Sequence, residues 1–490
     1  MKADAAFAAI DFGTSRIKMG LFNPAVPAGL EWVGESPNPL FYGRDGSVQC
    51  SFAAQWRATQ MLLRKLGAIL KSRGIKELHL GLCGHVSSLL PWETLRGQPL
   101  KDHFPIWLDS TCQKSTPALQ KYWAQGRDVK QLGTHFPVAA NWLAVKLHSF
   151  LQQPRARSLK YLQLHDAIGY CLSGRYLTQA SAQISLVNLS TQTYAPDLLR
   201  FLGLEADQLP EIHTQGGVPM IECIRRGFNL PNQVVIYPGH QDTYSAFLGM
   251  FPEPGEGILL TGTSEVIGIY QSRVSPNLPP KMVRARLGDG WINYGSTNSG
   301  GNSVRWLMEK ILQRPTADDL LALTKKAQAI APGSDGLRCL PYFAGERAPL
   351  WNSQLRGTFN GLSTQHSDAH LLRALLEAVA CARRQGFEQL FCPQPRYFKM
   401  AGGSVLNPLW NKIRAATLGV PLKIQVGTDL ALVGALRQAM EQSGNKSATT
   451  MLKSKQLFRT LHPDPEWIPI YRTVYREFLS LQQTLLPPKK

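Results

Sequence analysis

The chain has 490 residues, 44% apolar and 18% charged, and a formal net charge of +19, the composition of a globular protein long enough for two domains of roughly 240 residues each. No apolar run approaches the length needed to cross a bilayer, and MKADAAFAAIDFG passes directly into a strand pattern, so neither a membrane span nor a signal peptide is expected and the cytoplasm is the expected compartment. The eight cysteines are scattered singly without Cys-x-x-Cys spacing, which excludes a zinc ribbon and a disulfide framework.

In chain order, AAFAAIDFGTSRIKMGLF reads as two apolar strands joined by Gly13-Thr14-Ser15. SFAAQWRATQMLLRKLGAILKSRG predicts an amphipathic helix from about Ser51, and ELHLGLCGH a strand ending in a loop at Gly84. SLKYLQLHDAIGYCLSG predicts a helix broken by Gly174, and VVIYPGHQDTYSAFLGM a strand from Val234 to Tyr237, a Pro-Gly turn and a helix from about Asp242. GMFPEPGEG, with Pro252, Pro254, Gly255 and Gly257, is the candidate linker. GEGILLTGTSEVIGIYQS then repeats the opening pattern around Gly262-Thr263-Ser264. GSTNSGGNSVRWLMEKIL predicts a Gly-rich turn and a helix with Val304, Leu307 and Ile311 at helical spacing. After a loop-rich stretch from Leu337, SDAHLLRALLEAVACARRQGFEQL predicts a long helix, and FKMAGGSVLNPLWNKIRAATLGVPL a strand, a Gly402-Gly403-Ser404 turn and a helix. LALVGALRQAM is a helix of small residues. This alternation marks the α/β class.

The two Gly-Thr-Ser turns in equivalent contexts point to a duplicated nucleotide-binding scaffold. Such a turn leaves backbone N–H groups unobstructed and adds hydroxyl donors, which is what a phosphate chain requires of a loop. Only the first copy has an acid two residues before its glycine, Asp11, where the second has Thr261. The asymmetry predicts one shared phosphate site with a metal-side half and a neutral half.

The motifs DFGTSRIK from Asp11, GHQDTYSAFLG from Gly239, TGTSE from Thr261, LPYFAGERAPLW from Leu340, RALLEAVA from Arg373, AGGSVLNPLW from Ala401 and HPDPEW from His462 follow one another across nearly the whole chain. In this order they resemble the FGGY carbohydrate kinases, which include the glycerol, xylulose and fuculose kinases. The resemblance implies an α/β fold of two actin-like (ribonuclease H-like) domains with an interdomain ATP/sugar cleft. Residues 1–249 would bind sugar and supply the catalytic base, and residues 250–490 would bind nucleotide. It also implies transfer of the ATP γ-phosphate to a hydroxyl of a sugar or polyol, with ATP and Mg²⁺ as cofactors. Closure of the domains across the linker would exclude water.

Residue by residue, the resemblance assigns Asp242 as general base, a role compatible with capping the helix that follows, and sets it near the metal and the sugar. GHQD departs from the family's Gly-His-Asp form by the additional Gln241. Asp11 matches the acid on the Mg²⁺ side, and Mg²⁺ is expected to keep much of its hydration. Gly13, Thr14, Ser15 and Lys18 match the first phosphate hairpin, and Gly262, Thr263 and Ser264 the second. Gly301 and Arg305 match positions along the adenosine pocket, and Gly402, Gly403 and Asn407 the adenine-side loop.

The acceptor is the part the resemblance leaves open. In Cys83-Gly84-His85-Val86-Ser87-Ser88, the residues Val86 and Ser87 occupy the discriminating positions, with His85 beside them. Trp107 and Asp109 match the family's apolar wall and hydroxyl acceptor. Without charged residues in that loop an acidic sugar is not expected. Gly345-Glu346-Arg347 is a family marker for which a structural ion-pair role is expected. The basic residues are dispersed, with short clusters in RARSLK from Arg155, at Arg225-Arg226 and at Lys489-Lys490. They describe a solvated basic surface that steers ATP more readily than a nucleic-acid partner. The expected partners are thus ATP and a small sugar or polyol, with no membrane and no nucleic acid, and a homodimer remains open. Two alternatives to a kinase also stay open: a catalytically silent sugar- or nucleotide-sensing relative, and a polyanion-binding protein.

Overall fold

The computed structural model describes residues 5–153, 159–274, 277–279, 281–390, 392–425 and 427–485. Arg155 and Arg157 of the first basic cluster, and Lys489-Lys490, lie outside the described residues. The chain divides into two compact units. The first comprises Met1–Phe251, Ala285–Gly288 and Thr428–Gln456; the second comprises Pro252–Arg284, Asp289–Gly427 and Leu457–Lys490. The Pro- and Gly-rich segment after Gly249 carries the first of these breaks, between Phe251 and Pro252. No helix among the described residues is long and apolar enough to cross a membrane.

The first unit is built on a six-stranded sheet in the order Val218–Pro219, Gln233–Gln241, Glu77–Gly84, Ala5–Phe12, Arg16–Phe22, Leu30–Pro37. Ala5–Phe12 pairs antiparallel with Arg16–Phe22 across the first Gly-Thr-Ser turn and parallel with Glu77–Gly84. All eight residues of Ala5–Phe12 are buried. Ala6, Ala8, Ile10 and Phe12 belong to the core under Leu62, Leu63, Leu66 and Leu70 of the helix Phe52–Ser72. Phe7 and Ala9 belong to the core under Leu432, Val433, Ala435 and Leu436 of the helix Leu430–Gln442. A strand covered on both faces must be apolar at consecutive positions, which is why AAFAAIDF does not alternate. Ser51 caps Phe52–Ser72 by accepting the Ala54 N–H at 3.1 Å.

The second unit repeats this plan. Gly257–Thr261 pairs antiparallel with Glu265–Gln271 across the second Gly-Thr-Ser turn, and Glu265–Gln271 pairs antiparallel with Gly290–Ser296. On its other side Gly257–Thr261 pairs parallel with Phe398–Gly402, which pairs parallel with Leu422–Ile424. Val283–Leu287 and Arg459–Leu461 complete the edges of this seven-stranded sheet. Both units therefore share a core of three antiparallel strands continued by two parallel ones.

Three local expectations are corrected. Pro238-Gly239 is not a turn: the strand runs unbroken from Gln233 to Gln241, with a register shift between Tyr237 and His240. A bulge accommodates the proline, whose missing N–H would otherwise interrupt the ladder. SLKYLQLHDAIGYCLSG is a strand Lys160–Leu162 followed by a helix Leu164–Ser173, because Gln163 and Asp166 form a capping box that starts the helix late. Ile311 is 51% exposed although Val304 and Leu307 are buried. The helix widens to a π-turn over Leu307–Ile311, which rotates Ile311 off the apolar face.

The helices Asp242–Gly249 and Leu430–Gln442 cross with backbones in contact. A Cβ on Gly434 would stand 1.7 Å from the Ser245 carbonyl oxygen, and one on Gly249 would stand 2.3 Å from the Leu430 carbonyl oxygen. Gly434→Ala is therefore expected to destabilise the protein by about 3 kcal/mol or more, since a packed backbone has no rotamer through which to yield. Gly227→Ala, whose added carbon meets nothing within 4 Å, serves as control and stays within about 0.5 kcal/mol of the parent. Denaturant unfolding of the two variants checks this.

Candidate active site

In the first unit, hairpin register and the helix crossing bring three aspartates and one lysine together. Asp11, at the end of Ala5–Phe12, stands opposite Lys18 in the hairpin and beside Cys83 on the parallel strand. The Cys83 thiol points to Asp11 Oδ1 at 3.6 Å. Lys18 Nζ donates to Asp429 Oδ2 at 2.7 Å, and Asp429 caps Leu430–Gln442 by accepting the Leu432 N–H at 3.2 Å. Asp242 opens its helix and accepts the Thr243 N–H at 2.6 Å and the Thr243 hydroxyl at 3.2 Å. It is only partly covered, whereas Asp11 is buried.

The charges are unbalanced. Burial, then repulsion from Asp429 and Asp242, pushes the Asp11 carboxyl well above the usual range, against the pull of Lys18 and the Cys83 hydrogen bond. Burial raises Asp242 as well, opposed by the two Thr243 bonds and reinforced by Asp429. Burial by itself would lower the Lys18 ammonium, but the charge and hydrogen bond of Asp429 together with Asp11 hold it above its ordinary value. Three mutually interacting aspartates with one ammonium, held by Asp429 and Asp11, leave an excess of negative charge that favours an added cation. Among the described residues no group of three or more His, Cys, Asp or Glu side chains could hold a metal directly. Asp11 and Asp242 are carboxylates compatible with Mg²⁺, an ion that typically binds through one or two carboxylates and keeps several waters.

The first Gly-Thr-Ser turn is fixed from outside. Asn38 Nδ2 donates to the Gly13 and Thr14 carbonyl oxygens at 3.0 and 3.1 Å, and the Asn38 N–H donates to the Ser15 carbonyl at 3.0 Å. Trp107 Nε1 donates to Thr14 Oγ1 at 2.8 Å, which joins a residue expected on the acceptor side to the turn expected on the phosphate side. In the loop after Glu77–Gly84, His85 is fully buried. Burial, followed by the Lys146 ammonium, pulls His85 down to about 4. Val86 is half-buried; Ser87 adopts φ +61° and donates its N–H to Gln163 Oε1 at 2.7 Å. Lys146, also fully buried, donates to the carbonyls of Ser87 at 2.8 Å and Ile106, and burial lowers it to about 7. Both Asp109 oxygens are engaged, one by the Val48 N–H at 2.9 Å and the other by the Thr111 hydroxyl at 2.6 Å and N–H at 3.1 Å.

In the second unit, three small-residue turns adjoin. The Gly262 carbonyl accepts the Gly301 N–H, and the Thr263 carbonyl accepts the Asn302 N–H, each at 2.9 Å. Arg305 is exposed and donates to Asn302 Oδ1 at 2.9 Å. Gly402 pairs with Thr261 and has φ +118°; a Cβ there would lie 1.7 Å from the Thr261 carbonyl oxygen, so only glycine fits. Gly403 and Thr263 are exposed, and Ser264 is half-buried. The Asn407 side chain caps Pro408–Leu418 through the Trp410 N–H at 3.0 Å and donates to Thr324 Oγ1 at 3.2 Å. Glu346 accepts the Asn298 N–H at 2.6 Å and the Ser299 hydroxyl, while Arg347 donates to the Thr297 carbonyl at 2.6 Å. Gly345-Glu346-Arg347 is thus a brace for the loop that leads to Gly301.

Sequence reasoning missed Asp429 as a site residue; it expected a structural ion pair at Glu346-Arg347, where the two side chains hold Asn298, Ser299 and the Thr297 carbonyl. An acid directly before the apolar helix Leu430–Gln442 was a readable N-cap signal, but nothing local connects it with Asp11.

Residues 6–249 match the model of the FGGY family of carbohydrate kinases, N-terminal domain, and residues 257–442 match that of the C-terminal domain. Similar curated proteins include the gluconokinase of Bacillus subtilis (strain 168), 31% identical over 244 residues and 46% of each chain. The xylulose kinase of Lactococcus lactis subsp. lactis (strain IL1403) is 26% identical over 52% of each chain. The chain spans about half the length of these two relatives. The glycerol kinase of Gloeobacter violaceus (strain ATCC 29082 / PCC 7421) is 28% identical over 85% of this chain and 84% of its own. Among solved structures, ligand-bound xylulose kinase from Lactobacillus acidophilus superposes with a TM-score of 0.86 at 20% identity, covering 98% of both chains. Plasmodium falciparum glycerol kinase with ADP gives 0.82 at 16% identity over 99% of both. With both family domains matched in order, the chain belongs to the FGGY family of carbohydrate kinases.

Proposed function

We propose that this protein transfers the γ-phosphate of ATP to a hydroxyl of an uncharged sugar or polyol, with Asp242 as general base. The observation that carries this reading is the half-buried Asp242 at a helix start, its carboxylate oriented by Thr243 and electrostatically linked to Asp11 and Asp429. In the reaction the acceptor oxygen bonds to the γ-phosphorus as the bond to the ADP oxygen breaks, and the hydroxyl proton passes to Asp242. The Thr243 hydrogen bonds orient the carboxylate, and Asp11 supplies the metal-side charge. Mg²⁺, when bound, neutralises phosphate charge. Gly13, Thr14, Ser15 and Lys18 are assigned to phosphate contacts in the first unit. Gly262, Thr263, Ser264, Gly301, Arg305, Gly402, Gly403 and Asn407 are assigned to the nucleotide in the second; a structural relative with ADP supports that nucleotide class.

An uncharged acceptor is favoured because the charged groups near the acceptor loop are already engaged. Lys146 is held by two backbone carbonyls, and Asp109 by Val48 and Thr111. Lys146 is buried and turned to the Ser87 and Ile106 carbonyls, and Asp109 would repel a second carboxylate, so a carboxylate-bearing sugar gains little here and an unpaired buried charge is costly. His85, Val86, Ser87 and Trp107 remain as the acceptor-side residues.

A coupled ADP-release screen over glycerol, xylulose and gluconate is expected to show turnover with a neutral acceptor and none with gluconate. Asp242→Asn is expected to lower kcat by about 10²-fold or more. Turnover only with gluconate refutes the neutral acceptor, and full activity of the Asn variant refutes the base.

The pH profile offers a separate check. The base acts as a carboxylate, and a raised pKa keeps it protonated to higher pH. The acid limb of kcat/KM should therefore have its midpoint above the ordinary aspartate value of about 3.9. Thr243→Val removes a hydrogen bond that favours the ionised form and should move that midpoint further up. An unmoved midpoint excludes Asp242 as the titrating group.

A further inference from the structure

Beneath the second Gly-Thr-Ser turn lies a buried ionic link that the reaction itself does not require. Glu265 directly follows Ser264 and is fully buried. One of its carboxylate oxygens accepts from Arg414 Nη2, and the other lies 3.8 Å from Arg383 Nε. The same Arg414 Nη2 donates to Ser404 Oγ at 2.8 Å, in the turn Gly403–Leu406. The Arg414 guanidinium stacks 3.8 Å from the centre of the Trp410 ring, which fixes its plane. The Glu265 backbone carbonyl accepts the Thr297 N–H at 3.0 Å and the Thr297 hydroxyl at 3.2 Å, which ties in the loop leading to Gly301. One side chain thus bridges the 262–264 turn and the 403–406 turn, while the adjoining backbone fixes the third.

A buried ion pair is weak support for stability, because well-packed apolar residues of the same volume do as well or better. What such a pair supplies is direction: a guanidinium with fixed donors sets the separation of the groups it joins. We propose that Glu265, Arg414 and Ser404 are positioning residues for the nucleotide, holding the 262–264 and 403–406 turns at the spacing at which one nucleoside diphosphate meets both. The inference rests on the reading that the first of these turns meets phosphate and the second the adenosine side. If the two turns act as linked half-sites, loosening the link costs affinity for a ligand that spans both and spares one that occupies a single half.

The test compares ADP and adenosine on the full chain. ADP affinity is measured by titration calorimetry and adenosine affinity by ligand-observed NMR, for the parent, Ser404→Ala and the double variant Glu265→Gln/Arg414→Met. Thermal unfolding is followed in parallel. The expected result is ADP binding weakened about fivefold in Ser404→Ala, in line with one lost hydrogen bond of ordinary strength. The double variant should lose about tenfold or more, with adenosine affinity unchanged in both. A double variant that fails to fold leaves Ser404→Ala to decide, since its serine is only partly buried. The proposal is overturned if folded variants bind ADP within twofold of the parent, or lose adenosine and ADP in equal measure, as a merely structural role would produce. A parent protein that binds no ADP refutes the nucleotide reading itself, a result separate from either.

Discussion

The backbone contact between Asp242–Gly249 and Leu430–Gln442 is the constraint on which the first unit's chemistry depends. Without side chains at Gly434 and Gly249 the two helix backbones meet, and the residues at their starts, Asp242 and Asp429, both interact electrostatically with Asp11. Each helix start favours a negative charge, since its first N–H groups are unpaired and its dipole is positive there. The helix Leu430–Gln442 buries the Phe7 and Ala9 face of the central strand, and its capping residue Asp429 accepts from Lys18. A segment late in the chain, Thr428–Gln456, thereby completes a unit begun at the N-terminus.

The two units place opposite charge behind related turns. In the first, three aspartates interact with one another while one lysine meets two of them, a set suited to a proton acceptor and a hydrated cation. In the second, Arg347, Arg383 and Arg414 stand with Glu265 and Glu346 around turns with exposed glycine and threonine. Burial lowers the Arg383 and Arg414 guanidinium groups, and the attraction of the glutamates offsets part of that cost. The duplication marked by two Gly-Thr-Ser turns is thus a duplication of topology with divided chemistry: one copy set among acids, the other braced by arginines.

The features legible in the sequence were those with local signals. Two strands flanking Gly-Thr-Ser, an acid at a helix start and a Gly-Gly turn before a helix each declare themselves within a few residues, and the structure forms each of them. The rest depends on distant partners. Asp429 reads locally as an N-cap and gains its second role only when hairpin register turns Lys18 toward it. Lys146 carries no local signal, and its role shows only where its ammonium meets the Ser87 and Ile106 carbonyls. Glu346 belonged to a legible motif, yet its task of holding Asn298 and Ser299 needed the tertiary fold. The bulge at Pro238-Gly239 was hidden because the same dipeptide is the ordinary mark of a turn.

The central claim is that Asp429 acts with Lys18 as one unit inside the carboxylate cluster. A double-mutant cycle of Lys18→Met and Asp429→Asn, read in kcat/KM for Mg·ATP at a saturating concentration of the acceptor, measures that coupling directly. Because the two side chains share a 2.7 Å charged hydrogen bond, the losses are expected to be non-additive, with a coupling of about 1.5 kcal/mol or more, roughly tenfold in rate. Losses that simply add within about twofold would contradict the account.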